Sequence, residues 1–167
     1  LITKKEEGVV LTVYNSHWHG FSLPMTKVRE YSDPRGLVHS KETWRHAAAR
    51  AATECLGKTL KPAPRQVLNL AEWIETFGVD DTLQQGQRDG VLKQYRFRVF
   101  LADVPPDTAV VPGVVNEWLP PEELLDDDRE PFTPTVKELM MHLKTAAEAQ
   151  GQSILAYCKG QAQKDPG

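Results

Sequence analysis

The chain has little with which to staple or anchor itself. Its two cysteines, Cys55 and Cys158, lie far apart, too few for a disulfide framework or a four-ligand zinc site. A reducing compartment, in the simplest case the cytoplasm, is the expected home. No apolar run approaches the roughly 20 residues of a membrane span, and the opening Leu-Ile-Thr-Lys-Lys-Glu-Glu lacks the layout of a signal peptide. Charge of one sign is also scarce. A formal net charge of -3 gives no general attraction to nucleic acid or anionic membrane, so any polyanion site must be a local patch. Repeats, low-complexity tracts and dividing linkers are absent. What remains is the composition of an ordinary globular domain, 40% hydrophobic and 26% charged over 167 residues, which is enough for one hydrophobic core. The expected organisation is a single domain over 1–160 with a loose tail over 161–167.

Local patterns give an order of elements. Val9 to Tyr14, rich in β-branched residues, predicts a strand, and Phe21 to Pro24 a second short one. The run Tyr31-Ser32-Asp33-Pro34-Arg35-Gly36 reads as turn chemistry in a polar loop. A helix is expected from about Lys41 to Leu56, with Ser40 as its cap, Gly57 as its left-handed stop, and Trp44, Ala48, Ala51, Ala52 and Cys55 as its apolar face. Gln66 to Phe77 leans to strand, Asp89-Gly90 marks a hairpin, and Tyr95 to Leu101 alternates Tyr95, Phe97, Val99 and Leu101 against Arg96 and Arg98. Val114 to Leu119 predicts a strand, and Pro120 to Leu125 a short helix. Thr133 should cap a long helix whose stripe is Val136, Leu139, Met140 and Leu143, ending at Gly151. This succession describes an α/β domain around one sheet.

Gly36, Glu42, Arg50, Glu54 and Gly57 stand at the spacings of Gly-x5-Glu-x7-Arg-Glu-U-x-Glu-Glu-x-Gly-U, where U is a bulky aliphatic residue. Phe21-Ser22-Leu23-Pro24 is similar to the strand that leads into that motif. Ala47-Ala48-Ala49-Arg50 is similar to the small-residue run on its helix, and Glu117-Trp118-Leu119-Pro120-Pro121-Glu122-Glu123-Leu124 to a late strand and short helix. The chain thus resembles the Nudix (MutT-like) superfamily over most of 8–145, which implies a mixed β-sheet sandwiched between α-helices. It also implies a Mg²⁺- or Mn²⁺-dependent pyrophosphohydrolase acting on a nucleoside diphosphate linked to another moiety. Glu42, Arg50 and Gly57 become structural members of the box, with Glu42 pairing Arg50 to fix the box loop.

The chemical members depart from the pattern. Ala51 and Cys55 stand where the box has glutamates, Ala52 and Lys58 where it has aliphatics, and Met25-Thr26 where a Gly-Gly turn follows Leu-Pro. Positions 51, 54 and 55 share one helical face. In active members their carboxylates hold hard cations that want anionic oxygen; alanine offers no ligand, and a thiol suits magnesium poorly. Glu54 is left as catalytic residue and metal ligand, with Glu117 as the second ligand the resemblance implies. Lys27 and Arg29 alternate along one extended segment, as Arg96 and Arg98 do along another. The family arrangement makes these four the substrate-phosphate contacts, whereas the plainer reading is a solvated basic face.

Other residues carry two readings each. His17-Trp18-His19 is a metal-binding pair or, more simply, a turn with an anchoring tryptophan. Cys55 is a nucleophile or a small buried thiol. Trp73 and Tyr95 could stack a base or fill the core, and the acidic run Asp126 to Glu130 is most simply a solvated loop. Glu72, Glu75, Asp103 and Glu117 are carboxylates able to replace lost ligands. The resulting expectation is a diphosphate-binding Nudix protein whose hydrolysis is weakened or lost. Its rival is a non-catalytic binding or assembly module for a nucleotide, RNA or protein. A homodimer is compatible with either.

Overall fold

Strand β7 (Lys93–Val104) organises the sheet, because both of its edges are occupied. In this computed structural model, which describes residues 1–74, 93–126 and 132–164, β7 pairs antiparallel with β6 (Arg65–Ile74) along its length. It also takes the short β1 (Ile2–Lys4) in parallel at Ala102 to Val104. β1 turns back into β2 (Val10–Asn15), which pairs with β3 (Gly20–Ser22) and with β8 (Asn116–Leu119). The sheet is mixed and six-stranded. Val10 meets Thr3 and Leu119, while Val13 meets Ser22 and Asn116. Since β8 holds one edge of β2, β1 and β3 must share the other, and the sheet parts between them.

Helices cover both faces. Successive strand residues point to opposite sides, so Val10, Val99, Leu101 and Leu119 pack under α2 (Pro134–Ala149) and α3 (Ile154–Lys164), with Leu124 from the 3₁₀ helix Pro121–Leu125. Leu11 and Val104 turn the other way and meet Ile2 and the Ala52 and Leu56 side chains of α1 (Trp44–Leu56). The stripe Val136, Leu139, Met140 and Leu143 is buried as its spacing predicts, each residue contributing about 1.5–3 kcal/mol by leaving water. The α/β expectation is met. Among the described residues, no helix is long and apolar enough to cross a membrane.

Several boundaries differ, each for a local reason. The first helix starts at Trp44 rather than Lys41, and its cap is Thr43, whose hydroxyl accepts from the His46 N–H at 3.1 Å. Ser40 belongs instead to β5 (Val38–Lys41), which pairs with β4 (Glu30–Ser32) in a hairpin where a plain loop was expected. Its turn closes on Asp33, whose carboxylate accepts from the Arg35 and Leu37 N–H groups. Gly36 occupies that turn with φ +84°. Thr133 precedes α2 but makes no capping hydrogen bond. The tail expected to be loose from Gln161 is helical to Lys164, and Ala162 is buried. Phe77, Glu75, the Asp89-Gly90 turn and most of the Asp126–Glu130 run lie outside the described residues.

Candidate functional site

The part of α1 that faces the sheet carries only small side chains where it passes over the parting. Ala47, Ala48, Ala51 and Ala52 line a cavity of about 690 Å³ with Ile2 of β1, Ser22 of β3, and Arg96, Arg98, Phe100 and Ala102 of β7. That volume suits a small organic ligand. Had these helix positions held leucines, the helix would fill the gap; alanines leave it open. Asn15, His17 and Trp18 close one end from the β2–β3 turn, and Pro24 to Val28 form a wall. Thr133, Pro134 and Thr135 at the start of α2 complete it. The Thr133 hydroxyl is buried there without a hydrogen-bond partner among the described residues.

The Pro24–Val28 wall is tied to α1 by Arg50. Its guanidinium donates to both Glu42 oxygens, at 3.1 Å from Nε and 2.9 Å from Nη2. It also donates to the Lys27 carbonyl at 2.9 Å and the Thr26 hydroxyl at 3.0 Å. A contact of 3.5 Å reaches Glu54. Glu42 in turn accepts from the Arg29 N–H at 3.2 Å, and its side chain is only 1% exposed. A bidentate fork on a desolvated carboxylate is a strong, directional contact. The Arg50 hydrogen bond holds the Glu42 carboxyl down at about 2, against an ordinary 4.5, and pushes the Arg50 pKa up. At the other end of the helix Gly57 takes φ +69°, and a Cβ there would meet Val111 Cγ1 at 2.9 Å. Glu42 and Arg50 thus meet at the Pro24–Val28 wall, and Gly57 closes the helix against Val111.

The residues assigned to metal chemistry are not brought together. Glu54 is 60% exposed and lies beside Arg50 rather than on the cavity wall. Glu117 sits opposite Thr12 in the β2–β8 ladder, and Thr12 donates to its backbone carbonyl at 2.7 Å. Its neighbour Trp118 packs on the α1 side of the sheet, so alternation turns the Glu117 side chain to the α2 side. Asp103, the other described carboxylate weighed as a replacement, accepts from the Thr3 hydroxyl at 2.9 Å. Among the described residues no three His, Cys, Asp or Glu side chains converge as a metal site. This donor set does not fit a multi-metal carboxylate cluster.

Of the four expected phosphate contacts, Lys27, Arg96 and Arg98 line the cavity, and Arg29 does not. Arg98 lies over the Trp44 ring, 5.0 Å from its centroid. His17 and Trp18 do belong to a turn, with both N–H groups held by the Asn15 side chain. Cys55 is half-buried against the smaller core, and burial followed by the Glu54 charge raises its thiol pKa, the opposite of an activated nucleophile. Met25, Thr133 and Thr135 escaped notice as lining residues. Nothing local marks them, since the cavity is made by elements distant in sequence. No family model, curated protein or solved structure matches the chain.

Proposed function

We propose that the chain is a Nudix-fold binding module that takes a nucleoside diphosphate linked to another moiety in the cavity under α1, with Mg²⁺-dependent pyrophosphohydrolysis weakened or lost. The observation that carries this reading is the split along α1. The Glu42–Arg50 pair is intact and fixes the Thr26-Lys27 wall, whereas the cavity flank offers Ala47, Ala48, Ala51 and Ala52 and no carboxylate. The motif resemblance supports the fold, and a mixed sheet with helices on both faces is compatible with it. Three cations and two tryptophans on the cavity wall are suitable contacts for a phosphorylated ligand with an aromatic base.

Titration calorimetry with a panel of nucleoside diphosphate derivatives, joined to phosphate-release assays with Mg²⁺, tests it. The expected result is saturable binding with turnover at least a thousandfold below an active pyrophosphohydrolase, since charge stabilisation by the metal contributes several kcal/mol to such reactions. Efficient Mg²⁺-dependent turnover that Glu54→Gln abolishes would show a working enzyme and overturn the proposal.

A further inference from the structure

The charges around the cavity are one-sided. Lys27, Arg96 and Arg98 line it, and among the described residues no aspartate or glutamate does. None of the three forms a salt bridge with another described residue, in contrast to Arg50. Arg96 and Arg98 are two apart on the same face of β7, so their Cα atoms lie about 7 Å apart and their side chains rise side by side. Lys27 approaches from the facing loop, whose backbone Arg50 holds. The Arg98 fork rests on Trp44, a contact that limits its freedom before any ligand arrives. Cations with no salt-bridge partner among the described residues repel each other around one cavity and repel a metal ion, and an anion relieves both effects.

On the reading just given, we infer that this site binds its diphosphate without a bridging metal. Arg96, Arg98 and Lys27 supply the positive charge that Mg²⁺ supplies in a carboxylate-lined site. A guanidinium matches two phosphate oxygens at once, and paired forks with a lysine point charge suit a group bearing several negative charges. The organic part of the ligand then lies along Ala47, Ala48 and Ala51, where removing it from water favours binding. This divides the labour differently from a metal site: protein cations take the phosphates, and the helix takes the apolar moiety.

The test is equilibrium binding of inorganic pyrophosphate, ADP-ribose and UDP-glucose, each in EDTA and in millimolar Mg²⁺. The expected result is a Kd in EDTA within about twofold of that in Mg²⁺, weakened by added salt as exposed charges become screened. Arg96→Gln and Arg98→Gln should each weaken binding about tenfold or more, as for a lost charged hydrogen bond. Ala51→Glu, which adds a carboxylate to the wall, should weaken binding in EDTA and make it respond to Mg²⁺. An affinity that collapses tenfold in EDTA, or arginine variants that bind like the parent, overturns the inference. Nucleotides that bind only with Mg²⁺ leave the nucleotide reading standing and remove this one. Pyrophosphate that binds in EDTA through the arginines, with no nucleotide binding, does the reverse. If no probe binds under either condition, both fall.

Discussion

The two flanks of α1 are built on opposite terms, although they belong to the same 13-residue helix. On the loop flank, Arg50 reaches Glu42, Thr26, Lys27 and Glu54, and Glu42 is shared with the Arg29 N–H. On the cavity flank, past Trp44 at the start of the helix, there are methyl groups and space. Directed bonds fix where the loop sits; small side chains leave room beside it. A site that needs a preset wall and an open interior can be made this way, with rigidity and vacancy on neighbouring sides of a single element. The Glu42–Arg50 pair owes nothing to positions 51 and 55, so the loop is held whatever side chains those positions carry.

The strongest way to break the contrast is to remove the fork. Arg50→Ala leaves the Glu42 carboxylate desolvated and without its principal partner, a situation far costlier than the loss of a surface pair. The expected effect is a fall in thermal midpoint of roughly 10 °C with a weakened response to pyrophosphate as the Lys27 wall loosens. Glu42→Gln sharpens the same point through pH. The Glu42 pKa is lowered from 4.5 to about 2, so between those values the unfolded chain binds the proton more readily. The stability this carboxylate contributes is therefore complete above pH 4.5 and is lost as pH falls toward 2. The midpoint difference between parent and Glu42→Gln, followed by calorimetry, should be full at neutral pH and shrink across that window. A difference that ignores pH would mean the pair does not hold the loop.

Next in size is the end of the helix. Gly57→Ala puts a Cβ on a residue at φ +69° and 2.9 Å from Val111 Cγ1. The left-handed conformation alone costs an alanine about 1–2 kcal/mol, and displacing the Val110-Val111 segment adds to it. A loss of about 2 kcal/mol in denaturant unfolding is expected, with pyrophosphate affinity little changed, since Gly57 lies outside the cavity. If affinity falls with stability, the two functions of α1 are less separable than its geometry indicates.

How much of this was legible in the sequence follows from range. Features set within a turn or two of chain could be read: the buried stripe of α2, the stop at Gly57, the alternation along β7. The carboxyl-terminal helix was also within reach, since Ser153 caps it by accepting from the Ala156 N–H, and Ile154, Tyr157, Cys158 and Ala162 repeat at helical spacing. Its polar residues and Gly160 obscured that pattern. β1 gave no signal, because three residues are held by parallel pairing to a strand about a hundred positions away. In the site, the helix motif pointed to the Glu42–Arg50 contact. It could not say that Ala51 faces a void, which depends on how β2 divides its edge between β1 and β3. Nor could it say that Glu117 points to the other side of the sheet, which depends on the register of β8 against β2.

The smallest expected effect bears on the cavity's charge. Trp44 is 40% exposed and contributes little to the core, so its value lies in the face it offers Arg98 at 5.0 Å. Trp44→Leu keeps an apolar side chain and removes that face. Stability should fall by about 0.5–1 kcal/mol, and pyrophosphate should bind a few-fold more weakly because the guanidinium must be ordered on binding. A double-mutant cycle with Arg98→Gln isolates the term. If Trp44 presets Arg98, the Trp44→Leu penalty on affinity disappears once Arg98 is gone. If the penalty persists in the Arg98→Gln background, Trp44 touches the ligand itself, and the preset cation belongs to Arg96 and Lys27 alone.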